Sequence, residues 1–173
     1  LTLFGDTAVL LVGLSPLLLW RRQALVAAIA AIPAGGLMSV TAKRLADAPR
    51  PAAVLDITQF HLIGPTLNLH SFPSGHTITA FAAASAVLAV ILPGAKPIRM
   101  ALLAAAIIVL AAGVGLSRVA VGAHWPADVL AGALFGWLAG LSGAWFTRRF
   151  PVLWQSQRLA TGLAALLFAI GVW

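Results

Sequence analysis

Residues Met100–Leu116 read MALLAAAIIVLAAGVGL, seventeen consecutive positions without a charge or a proline. Spanning the hydrocarbon core of a bilayer takes about 20 apolar residues, with a range of roughly 17 to 25, because each helical residue rises about 1.5 Å. The stretch meets that length, and basic residues close it on both sides: Arg99 directly before it and Arg118 two positions beyond it. The same pattern recurs outward. Charged residues cut the 173-residue chain into six apolar segments, about Leu3 to Trp20, Gln23 to Ala42, Ser74 to the Pro93-Gly94 pair, Met100 to Leu116, Pro126 to Phe146 and Leu159 to Trp173. The expected fold is therefore all-α: a polytopic transmembrane helical bundle of about six spans, one domain over residues 1–173, with a site at one membrane face. Within the second segment, Pro33 is expected to kink the helix and Gly35-Gly36 to form a close helix contact.

Composition points the same way. Eleven Lys and Arg, four Asp and no Glu give 9% charge against 61% apolar residues, whereas soluble domains carry about 25% charge. A mean hydropathy of +1.02 excludes a disordered chain, and the absence of Cys excludes a disulfide scaffold. The pI of about 11.9 does not mark a nucleic-acid binder, because the basic residues stand singly or in pairs between apolar runs. With connections alternating sides, Arg21, Arg22, Lys96, Arg99, Arg148, Arg149 and Arg158 make seven on one face, and Lys43, Arg44, Arg50 and Arg118 make four on the other. The positive-inside rule makes the side with seven cytoplasmic. Trp20, Trp125, Trp145 and Trp154 lie near segment ends, where an aromatic belt would place them. With no initiator Met and an apolar last segment, the chain is expected to be a segment of a longer one.

The one long connection, 30 residues from Lys43 to Phe72, falls on the face opposite the cytoplasm, and loops of that length in compact domains usually carry function. It begins with Lys43, six residues, then Arg50-Pro51, and closes on Pro73-Ser74-Gly75-His76. After the Met100–Leu116 segment, on the same face, come Ser117-Arg118, five residues, His124, three residues and Asp128. These residue types suit anion chemistry. Lys43 offers a point charge, and Arg50 and Arg118 offer forked donors matched to phosphate oxygens. Ser74 and Gly75 at a helix start are expected to present free backbone N–H groups at the positive end of the dipole. His124 and Asp128, four apart, share a helix face, so the carboxylate can hold one imidazole nitrogen as N–H and leave the other free to attack phosphorus. His76 remains to protonate the leaving oxygen and then to activate water.

In this order the three groups resemble the signature motifs of the type-2 phosphatidic acid phosphatase superfamily, Lys-x6-Arg-Pro, Pro-Ser-Gly-His and Ser-Arg-x5-His-x3-Asp, with every motif position matched between Lys43 and Asp128. The resemblance implies His124 as nucleophile, Asp128 as its orienting partner, His76 as general acid, and Lys43, Arg50, Ser74, Gly75 and Arg118 as a phosphate cradle. It also implies no metal cofactor, in keeping with only four carboxylates in the chain, three of them away from any cluster.

The activity so implied is hydrolysis of a lipid phosphate or diphosphate, such as undecaprenyl diphosphate, phosphatidylglycerol phosphate or phosphatidic acid, through a phosphohistidine at the outer face of a bacterial inner membrane. Its partners are the substrate and the surrounding lipids, not nucleic acid. A lipid A phosphatase or phosphotransferase would use the same intermediate. A non-catalytic carrier or scramblase would need only the cations, so His76, His124 and Asp128 argue against it. The other basic residues read as membrane anchors, His61 and His70 as polar loop groups, Asp47 and Asp56 as groups that solvate the loop or pair with Arg44, and Trp125 as a packing or interfacial residue.

Overall fold

The computed structural model describes residues 1–56, 62–63, 67–93 and 96–172, and all regular structure within them is helical; the expectation for His61 lies outside the described residues. A 3-10 turn, Thr2–Gly5, leads into α1 (Thr7–Leu14) and α2 (Leu17–Trp20). Next come α3 (Arg22–Ala30), α4 (Ile32–Ala46) and the short α5 (Pro51–Val54). The long helices α6 (Gly75–Ile91), α7 (Pro97–Ala120) and α8 (Pro126–Arg149) are followed by α9 (Val152–Gln155) and α10 (Gln157–Val172).

Local chemistry sets these boundaries. Proline opens α5, α7 and α8, where its missing N–H costs the helix nothing. Asp6 caps α1 by accepting from the amides of Ala8 and Val9 at 2.9 and 3.3 Å. That cap and Pro16 divide the first apolar segment into a turn and two short helices instead of the single span expected over Leu3–Trp20. Pro33 likewise parts α3 from α4, as expected, since it has no N–H for the carbonyl four residues back. By length and hydropathy the stretch Arg22–Val54 and the helices α7 and α8 can cross a membrane, while α6 and α10 are shorter apolar helices. The fold is thus a membrane helical bundle.

Small residues decide how the bundle packs. Lipid tails are as apolar as the side chains, so association rests on close packing, and glycine lets backbones approach. On α8, Gly132, Gly136, Gly140 and Gly143 are all buried. A Cβ at Gly136 would stand 2.8 Å from Phe81 Cβ, and one at Gly140 would overlap Ser85 Oγ and the Ala82 carbonyl. One at Gly143 would strike the Ala27 carbonyl of α3. Across this seam Ser85 Oγ donates to the Trp137 carbonyl at 3.0 Å. At the upper end a Cβ on Gly132 would lie 2.8 Å from the Ser74 carbonyl, so this glycine brings the start of α8 against the start of α6. Gly35 is the contact expected of it, 3.1 Å from Ile78 Cγ2 to an added Cβ, but Gly36 faces nothing within 4 Å and is not one. The outer helix α7 buries only Ala111, Val114 and Gly115 and turns Leu102, Val109 and Leu116 outward, a face that lipid covers and water would not.

At one end of the bundle Arg22 donates to the Trp154 carbonyl at 3.5 Å and Arg148 to the Ala89 carbonyl at 2.6 Å. The motif residues gather at the other end, where the chain crosses between α4, α6, α7 and α8.

Candidate active site

Two connections and two helix starts build the site. The turn Val121–Trp125 is folded back on α7 by the amides of Ala123 and His124, which both donate to the Arg118 carbonyl at 3.1 and 3.2 Å. Pro126 then opens α8, and Asp128, in its first turn, accepts from the Trp125 amide at 2.8 Å. That bond aims the carboxylate back at the turn, where Asp128 Oδ2 lies 3.3 Å from His124 Nδ1. Both side chains are buried, at 4% and 3% exposure, so the pair is shielded from competing water. Nδ1 as the N–H partner of the carboxylate leaves Nε2 with its lone pair. Burial, and then the nearby Arg50 guanidinium, hold this imidazole far below its ordinary range, at about 4, against the opposing pull of Asp128. His124 is therefore neutral near pH 7, the state a nitrogen nucleophile requires.

Arg50 and Lys43 lie near this pair and also brace the loops that carry it. Lys43, in the last turn of α4, donates to the carbonyls of His70 and Pro73 at 2.8 and 3.0 Å. Arg50 donates from Nε to Leu69 O and from Nη1 to Ala123 O, both at 3.1 Å, the latter directly before His124. Arg118 donates from Nη1 to the Thr2 hydroxyl, while its Nε is buried without a hydrogen-bond partner among the described residues. An unpaired buried donor costs about 1–3 kcal/mol, and a phosphate oxygen would satisfy it.

The start of α6 corrects one expectation. The Ser74 amide is not free, because it donates to the Asp128 carbonyl at 3.0 Å, and the Ser74 hydroxyl accepts from Thr77 Oγ1 at 2.9 Å. The first helical bond of α6 runs from Ile78 to Ser74, so its unladdered amides are those of Gly75, His76 and Thr77, one residue further along. Ser74 thus locks α6 to α8, and the amides left without a helical partner begin at Gly75. Against His76 packs Gly5, where a Cβ would stand 2.5 Å from His76 Cβ and 2.7 Å from ring Cδ2.

All eight residues singled out by the motifs, Lys43, Arg50, Ser74, Gly75, His76, Arg118, His124 and Asp128, belong to these linked segments. The motifs miss Ser71, which is fully buried and donates to Asp128 Oδ2. Thr2 and Gly5, which touch Arg118 and His76, are missed too. Trp125 has the packing role expected of it, its indole N–H donating to the Pro49 carbonyl at 2.9 Å, while Asp47 faces His70 Nδ1 at 3.2 Å and not Arg44.

Comparison with known proteins places this geometry among relatives. A family model described as the PAP2 superfamily matches residues 23–152. Phosphatidylglycerophosphatase B of Escherichia coli K12 is 42% identical over 79 residues, covering 46% of this chain and 30% of that protein. Lipid A 1-phosphatase of Rhizobium johnstonii is 37% identical over 118 residues, 65% of this chain and 44% of that protein. The chain thus spans less than half the length of these curated relatives. The crystal structure of Aquifex aeolicus LpxE superposes with a TM-score of 0.68 at 31% identity, over 82% of this chain and 79% of that one.

Proposed function

The chain belongs to the PAP2 superfamily, and from that premise we propose that it is an integral-membrane phosphatase that hydrolyses a lipid phosphate or diphosphate through a phosphohistidine. One observation carries the reading: a buried imidazole, His124, lies 3.3 Å from a carboxylate with the cations Lys43 and Arg50 near it. Cations alone would bind a head group. The oriented imidazole adds a nucleophile.

In the first half-reaction His124 Nε2 attacks phosphorus, the bond from phosphorus to the leaving oxygen breaks, and His76 gives its proton to that oxygen. The charge on the equatorial oxygens is met by Lys43, Arg50, Arg118 and the amides at the start of α6, fixed donors that need no reorganisation as the charge develops. In the second, water attacks the phosphohistidine, His76 takes the water's proton, the P–N bond breaks, and inorganic phosphate leaves with His124 restored. The relatives' names make phosphatidylglycerophosphate and the 1-phosphate of lipid A the first substrates to try, with undecaprenyl diphosphate and phosphatidic acid beside them; a phosphotransferase would pass the same intermediate to a lipid hydroxyl.

The proposed setting is a bacterial inner membrane with the site facing outward. Seven basic residues on the opposite face support it, since three of the four on the site's own face, Lys43, Arg50 and Arg118, have a role at the anion site. The decisive assay is phosphate release by purified protein in detergent with EDTA, on each of these lipids. Turnover on at least one, lost in His124→Ala, is expected; no turnover on any, or an unimpaired variant, would overturn the mechanism. Because the chain has no Cys, a Cys at exposed Asn68 gives the orientation: labelling from the cytoplasmic side would reverse it.

A further inference from the structure

Next to the anion site, a cavity of about 300 Å³ runs between α1, α3, α4 and α6, and its described walls include Gly75 and His76 but not Lys43, Arg50, His124 or Asp128. Displacement at phosphorus sets the attacking and leaving atoms roughly in line on opposite sides. With His124 attacking from one side and His76 giving its proton to the departing oxygen, a chamber that touches His76 alone of the two lies where the leaving group goes.

The lining of this chamber is divided. Leu10, Ile32 and Ala82 make part of it apolar, as a hydrocarbon chain requires, yet Asp6, Thr7, Ser39 and Thr79 also face it. The Thr7 and Thr79 hydroxyls stand 3.5 Å apart. Asp6 Oδ1 is taken by the cap of α1 and Thr79 donates its proton to the Gly75 carbonyl at 3.2 Å, which leaves Asp6 Oδ2 and the hydroxyl lone pairs as acceptors, and a chain of methylenes gives such acceptors nothing to bond. Hydroxyls on the leaving group would engage all four. The Asp6 carboxylate also repels a leaving group that is itself an anion. We propose that this cavity is the leaving-group site, and that Asp6, Ser39 and Thr79 select an uncharged, hydroxyl-rich alcohol carrying acyl chains over a leaving group that is a phosphate. This assignment rests on the phosphatase reading above. The alcohol departs as the His124–phosphorus bond forms, its oxygen taking the His76 proton.

Three probes test it: lipid A phosphorylated at position 1 alone, whose leaving group is an uncharged acylated sugar; phosphatidylglycerophosphate, whose leaving glycerol bears a hydroxyl and an anionic diester; and undecaprenyl diphosphate, whose leaving group is a monophosphate. The expected kcat/KM follows that order, with about tenfold or more between first and last. Asp6→Asn keeps the cap of α1, since Asn and Asp cap about equally well, and is expected to narrow the ratio of lipid A to diphosphate by about fivefold. Ser39→Ala with Thr79→Val should narrow it by about threefold to tenfold. The ratio is the readout because a folding defect lowers both rate constants together. Preference for the diphosphate in the wild type, or a ratio unmoved by both variants, would overturn the assignment while leaving a working phosphatase. Release from phosphatidic acid but from none of the three would overturn this assignment alone, and release from none of the four would overturn the phosphatase reading and this assignment with it.

Discussion

Ser71 donates its hydroxyl proton to Asp128 Oδ2, the same carboxylate oxygen that lies 3.3 Å from Nδ1 of His124. With the Trp125 amide at 2.8 Å, that one oxygen gathers a side-chain hydroxyl, a backbone amide and the imidazole. The carboxylate is thereby fixed before the imidazole meets it. Orientation of His124 depends on a residue outside every motif.

If Asp128 sets the His124 tautomer, Asp128→Asn should lower kcat by about 10² to 10⁴-fold, because an amide can present its N–H to Nδ1 and leave the proton on Nε2, the nitrogen that must attack. His124→Ala should lose at least about 10³-fold. Alkaline quench of ³²P-labelled substrate should trap label on the wild type and none on His124→Ala. Label retained by that variant would place the nucleophile elsewhere.

Ser71→Ala tests the support behind the pair. A hydrogen bond to a charged acceptor contributes about 1.5–3 kcal/mol, so kcat should fall by about tenfold to a hundredfold. KM should stay within about twofold, since Ser71 does not meet the phosphate. Ser71→Thr, which keeps the hydroxyl, should recover most of the loss. An equal rise in KM would mean that Ser71 shapes the loop and not the carboxylate.

The sequence shows the motif residues, and with them most of the candidate site, because their spacing is local and their chemistry is strong. It shows the helical class because apolar runs of span length leave few other structures. Ser71 escapes because its partner lies 57 positions away and no periodicity marks a loop serine. Thr2 against Arg118, 116 positions apart, escapes for the same reason. The amide of Ser74 reads as free until Gly132 is seen to bring Asp128 under it. The first apolar segment misleads because its composition suits a span while Asp6 and Pro16 interrupt its hydrogen-bond ladder.

The depressed His124 imidazole fixes a pH dependence. In the proposed mechanism the neutral form attacks, so kcat/KM should fall as pH drops through about 4, well below the usual imidazole value of about 6.5. An alkaline limb is expected where His76 loses the proton it must donate, giving a bell-shaped profile. Arg50→Gln removes a cation that opposes protonation of His124. The acid midpoint should therefore move up in pH, whatever happens to the maximal rate. Histidine ¹⁵N NMR on the substrate-free protein should give the same midpoint and the same direction of change. A wild-type midpoint near 6.5 would mean that burial and Arg50 do not hold His124 neutral.

The glycine seam predicts stability separately from catalysis. Gly140→Ala puts a methyl into Ser85 Oγ and the Ala82 carbonyl, and Gly136→Ala puts one against Phe81 and the Ile78 carbonyl. Backbone cannot yield as a side-chain tip can, so each should cost about 1–3 kcal/mol by overpacking. Gly13 and Gly162 sit in helices with nothing within 4 Å of an added Cβ. There alanine should be neutral or stabilising by up to about 1 kcal/mol, from helix propensity. Thermal unfolding in one detergent should separate the two pairs, with lower Tm for the first and equal or higher Tm for the second. Because Gly132 places α8 against the Ser74 turn, Gly132→Ala should lose activity as well as stability, whereas Gly143→Ala, at the far end where α8 meets α3, should lose stability with kcat of the folded fraction retained. Equal loss of kcat in both would mean that the seam holds the site as one rigid unit and not through its upper end.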